Sequence, residues 1–136
     1  MTAPTSTVRN YILPIVWAIF IFIISTIPGK DIPKFDLADL FSLDKLVHLA
    51  VYGILVYSFL RAYYRKHLNI SNAELIKIGF IAATIASAYG WSLEYIQEHY
   101  CEGRLFEVLD GVANTTGAFL FFGIFFWQRK KRKQLQ

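Results

Sequence analysis

The sequence predicts an all-α fold, a bundle of four transmembrane helices with a polar cluster at its outer, extracytoplasmic end. Three observations carry that reading. Hydrophobic residues make up 55% of the 136-residue chain, charged residues make up 18%, and the mean hydropathy is +0.40. A water-soluble domain of this size has too little interior for so much apolar surface, so the bilayer is the solvent expected. The apolar residues fall into four runs, each near the roughly 20 residues that cross a hydrocarbon core. Polar residues recur on three of these runs at one common depth.

The first span is expected at about 11–28, "YILPIVWAIFIFIISTIP". It is longer than a signal-peptide core, and "STIPGKD" is a poor cleavage site, so it is read as a retained helix. Pro14 falls in its first turns, where a missing amide donor is best tolerated. The second span is expected at 46–64, the third at 75–95 and the fourth at 107–127. Residues 1–10 form a short N-terminus and residues 128–136 a basic tail. The segment "FDLADLFSL" has near-helical spacing of Phe35, Leu37, Leu40, Phe41 and Leu43, but a loop on the bilayer surface is the simpler expectation. The single cysteine, Cys101, permits no intramolecular disulfide.

Lysine and arginine set the orientation. Arg9, Arg61, Arg65, Lys66, Lys77 and the tail "RKKRK" fall on one side, leaving only Lys30, Lys34, Lys45 and Arg104 on the other. The positive-inside rule puts both termini of this multi-pass chain in the cytoplasm. Directly after an apolar helix, the basic tail points to anionic lipid rather than nucleic acid.

The polar residues share faces. Lys45, His48 and Tyr52 follow i, i+3, i+7 spacing, and Asp44 lies one turn before His48. Glu94 and Gln97 continue a stripe from Ser87 and Gly90. Glu107, Asp110, Asn114 and Gly117 form a third stripe. The second and fourth spans run inward and carry these residues first; the third runs outward and carries them last. All three sets therefore meet near the outer surface, at the level of Ser25. An ionised side chain at the bilayer centre costs about 2.5–3.5 kcal/mol, so these groups are expected to face one another or a watery cavity. Snorkelling charges and interhelical hydrogen-bond glue are the bland alternative for any one of them.

The same residues carry a resemblance. "DKLVHLAVY", "YGWSLEYIQ" and "GRLFEVLDGVANTTG" are similar to the three motifs of the VanZ-like membrane proteins, over Asp44 to Gly117. The matching positions are Asp44, Lys45, His48, Tyr52, Tyr89, Gly90, Glu94, Gln97, Arg104, Glu107, Asp110, Asn114 and Gly117. The chain departs from the pattern at Phe121, where such proteins often carry a second glycine. The founding member is associated with resistance to the lipoglycopeptide teicoplanin. The resemblance thus implies an envelope-directed role and assigns no reaction.

Three functions follow as expectations. The first is a binding site for a membrane lipid, a lipid-linked cell-wall intermediate or another amphiphile, formed by Lys45, Tyr52, Glu94, Gln97, Arg104, Glu107, Asp110 and Asn114. In it, Lys45 and Arg104 would take phosphate or carboxylate. The second is a membrane hydrolase or transferase on a lipid-linked substrate, with His48 as base, Asp44 orienting it, and Glu94 as acid or base. No cofactor is expected, although Glu94, Glu107 and Asp110 with Asn114 could offer oxygen ligands to a divalent metal. The third, a small transporter, finds neither an inverted repeat nor a continuous polar path.

Overall fold

The computed structural model describes residues 7–28 and 37–134. Four helices follow in order: α1 (Thr7–Ser25), α2 (Leu37–Lys66), α3 (Asn72–Tyr100) and α4 (Val108–Gln134), and no strand occurs among the described residues. Three of them are long and apolar enough to cross a membrane, over Leu43–Lys66, Asn72–Tyr100 and Val108–Arg132. The apolar part of α1, Arg9–Ser25, is shorter.

The helix ends differ from the sequence expectation in instructive ways. α1 begins at Thr7, so Pro14 lies inside the helix rather than near its start. Its missing N–H frees a carbonyl one turn earlier. α2 begins at Leu37, so the second half of the expected surface loop is continuous helix; residues 35 and 36 lie outside the described residues. α3 starts on Ser71, whose hydroxyl accepts the Glu74 N–H at 3.1 Å. It ends at Cys101, and Gly103 turns the chain with φ 77°, a conformation that favours glycine. α4 runs on through the expected tail as far as Gln134.

Contacts fix the directions. Lys45 meets Asp110, Leu49 faces Gly117, Gly53 faces Phe121 and Tyr57 donates to Gln128, so α2 and α4 run parallel. α3 runs against both: Glu94 reaches Glu107, Gly90 lies on Asn114, and Gly79 lies under Phe122. α1 packs mainly on α2, where the Trp17 indole N–H donates to the Val51 carbonyl at 2.9 Å. It touches α3 more lightly, through Tyr89 to the Ala18 carbonyl. The core has two layers. Ile21, Tyr52 and Leu93 form one; Val56, Leu60, Leu75, Ala83, Ala118 and Phe125 form the other. Leu13, Leu46, Phe80 and Ile85 point outward. In water such cladding would aggregate, whereas it suits hydrocarbon.

Two glycines set the α2–α4 spacing. A Cβ on Gly117 would run into the backbone of Leu49. One turn on, where a second glycine could have continued the close approach, the Phe121 ring lies against Gly53 of α2. The small residue has changed helices, and the contact is kept by a ring on a bare backbone.

Candidate functional site

The end of the bundle formed by the start of α2, the end of α3 and the start of α4 gathers most of the expected polar residues. The Lys45 ammonium is the centre. It donates to Asp44 Oδ2 at 3.2 Å, to Glu107 Oε2 at 2.8 Å and to Asp110 Oδ1. Lys45 itself is only 18% exposed at its side chain, and Asp110 only 8%. A lysine at this depth needs such partners, because an unpaired charge there would keep its full desolvation penalty.

His48 sits one turn below. Its Nδ1 lies 2.9 Å from Asn114 Oδ1 and 4.0 Å from Glu94 Oε1. Its Nε2 lies 3.6 Å from Asp110 Oδ2 and 3.7 Å from Asp44 Oδ1. Both ring nitrogens thus face acceptor oxygens. Asn114 is fully buried, and its Nδ2 has no hydrogen-bond acceptor among the described residues. Room for that amide comes from Gly90, where a Cβ would stand 2.9 Å from Asn114 Nδ2 and 3.0 Å from the Tyr52 ring.

Glu94 is 2% exposed and accepts the Glu107 N–H at 3.4 Å. An α3 carboxylate therefore sits at the beginning of α4, where unpaired backbone donors and the helix dipole favour negative charge. Asp110 occupies the first turn of the same helix. Burial is graded: Glu94, Asp110 and Asn114 are deep, whereas the Asp44 and Glu107 side chains are 44% and 49% exposed. The cluster is closed below and open at its mouth.

Three expected site residues stand apart. Tyr52 is buried in the apolar layer beneath, beside Tyr89, with ring centroids 6.3 Å apart. Gln97 donates its amide to the Ser25 carbonyl at 2.9 Å and so ties the end of α1 to α3. Arg104, in the α3–α4 turn, forms no ion pair with a described carboxylate, and its Nε is buried without a hydrogen-bond partner among the described residues. The possible metal ligands also change. Asp44, His48 and Asp110 offer ligand atoms all within 4.8 Å of one another; Glu94 and Glu107 do not join that group.

Sequence reading missed two contributors. Trp91 lies against Gly111 and donates to Thr115 Oγ1 at 3.2 Å, supporting the first turns of α4 from outside the cluster. Arg129, counted with the tail, is 5% exposed and clamps the α2–α3 turn through Asn72 Oδ1 at 3.0 Å and the Ile70 carbonyl. A single arginine in a basic run carries no sequence mark of that role. No family model, curated protein or solved structure matches the chain.

Proposed function

We propose that this chain is a four-span, VanZ-like protein of the bacterial cytoplasmic membrane whose outer polar site binds the donor-rich head group of an amphiphile, such as a lipid-linked envelope component. The observation that carries the reading is the charge balance at Lys45. Among the described residues, three carboxylates engage its single ammonium and Glu94 adds a fourth at the base, while Asp44 and Glu107 remain half exposed at the mouth. An amine or hydroxyl group arriving there meets acceptors in excess. Charge-assisted hydrogen bonds supply selectivity, and burial of the tail beside the helices supplies most of the affinity. With Lys45 already engaged, Arg104 is a cation, among the described residues at that end, left for a phosphate on the same head group.

Native mass spectrometry of the full chain tests this with phosphatidylethanolamine, whose ammonium carries N–H donors, against phosphatidylcholine, whose ammonium carries none. The expected preference is about tenfold, equivalent to one charge-assisted hydrogen bond. Asp44→Asn with Glu107→Gln removes it. Equal retention of both lipids by the native chain contradicts the reading.

A second reading is a membrane hydrolase or transferase, favoured by the Asp44, His48 and Asp110 group. One histidine and two carboxylates suit a metal-assisted site. Elemental analysis of the same preparation supports it if a divalent metal is present at one per chain and is lost in Asp44→Asn.

A further inference from the structure

At the other end of the bundle the charge is reversed. Arg61 and Arg65 of α2 and Arg129 and Arg132 of α4 line one cavity of about 430 Å³ between the two helices. The spacings are i, i+4 and i, i+3, so each pair projects from one helix face. None of the four lies within 4.0 Å of a described carboxylate.

Arg129 makes this more than a surface patch. Among the described residues its guanidinium is held by neutral partners, Asn72, the Ile70 carbonyl and the Tyr64 ring face at 5.0 Å, and its buried Nε finds no acceptor. The charge is fixed in place, and no described carboxylate neutralises it. Gln128 also lines the cavity; its amide oxygen accepts the Tyr57 hydroxyl at 2.7 Å, which leaves the amide nitrogen as a further donor. Four cations with no described counter-charge repel one another, and a buried one needs a partner. Planar guanidinium groups in this arrangement match phosphate oxygens.

We infer that this cavity binds the phosphate of an anionic phospholipid from the leaflet at that end. The walls favour a lipid over a free ion. The cavity lies between two helices apolar enough to span, and Tyr57 and Phe125, each one turn further into those helices than Arg61 and Arg129, give it an apolar wall. Nearby, Trp127 is exposed with the Lys131 ammonium 5.4 Å from its ring, an arrangement suited to the membrane–water interface. The site is independent of the carboxylate cluster and of the function proposed for it.

Native mass spectrometry of the full chain with phosphatidylglycerol, phosphatidylcholine and inorganic phosphate tests the inference. The native chain retains phosphatidylglycerol over phosphatidylcholine by about tenfold or more. Arg61, Arg65 and Arg132 are exposed, so Arg61→Gln, Arg65→Gln and Arg132→Gln together leave the melting temperature unchanged and abolish the preference. Arg129→Gln abolishes it as well and lowers the melting temperature. Three outcomes overturn the inference. The triple variant keeps the preference; Lys130→Gln, Lys131→Gln and Lys133→Gln together remove it, which makes it a property of the tail; or inorganic phosphate displaces the lipid at equal concentration, which makes the cavity a free-anion site.

Discussion

Among the described residues Lys45 has three carboxylate partners, and this arrangement shapes how the site responds to mutation. Removing the cation leaves Asp110 buried without its ammonium partner, whereas removing both charges leaves little to compensate. Lys45→Met should therefore destabilise the protein by about 3–5 kcal/mol, and Asp110→Asn added to it should recover at least half of the loss. Thermal unfolding of the two single variants and the double variant in detergent reads this directly; additive losses would show that the pair is not coupled. Helical spacing made the shared faces of Lys45 with His48 and of Asp110 with Asn114 legible. It did not give the partners, because they depend on the α2–α4 register, to which no single helix pattern refers. Hydropathy also cannot separate a glutamine that faces a cavity from one that ties a carbonyl. Gln97 belongs to the second kind, and Tyr52 to the apolar floor.

Among the elements, the parallel pair α2 and α4 positions the site, and its spacing rests on Gly117. Two identical substitutions on α4 should act in opposite directions. Gly117→Ala forces its Cβ against the Leu49 backbone and should destabilise by about 1–3 kcal/mol, with loss of the His48–Asn114 contact one turn away. Gly123→Ala meets nothing within 4 Å and should stabilise by about 0.5–1 kcal/mol through helix propensity alone. Melting temperatures of the pair decide it, and a shift in the same direction for both would remove Gly117 from its spacing role. The existence of the helices was plain from the apolar runs. Their ends were not, since α2 and α4 extend through the charged segments that mark boundaries in a hydropathy profile. Burial of Arg129 against the α2–α3 turn shows why: a tertiary contact holds the end of α4 in place where composition suggests a solvated tail.

Across the whole molecule the two ends carry opposite chemistry, carboxylates around Lys45 and arginines between α2 and α4. The proposed orientation puts the acidic end outside. In a Cys101→Ser background, Glu102→Cys should react with a membrane-impermeant maleimide in intact cells, and Asn69→Cys only after permeabilisation; the reverse pattern inverts the orientation. Direction along each helix was readable because polar residues come early on α2 and α4 and late on α3. Which groups meet was not, because it follows from side-chain packing beneath them, as with Gly90 under Asn114. The central claim is that the carboxylate cluster recognises hydrogen-bond donors on an amphiphile. Its most direct test is retention of phosphatidylethanolamine against phosphatidylcholine by the native chain and by the Asp44→Asn, Glu107→Gln variant. The account predicts a preference of about tenfold in the first and none in the second. A native chain that holds both lipids equally, or a variant that keeps the preference, would contradict it.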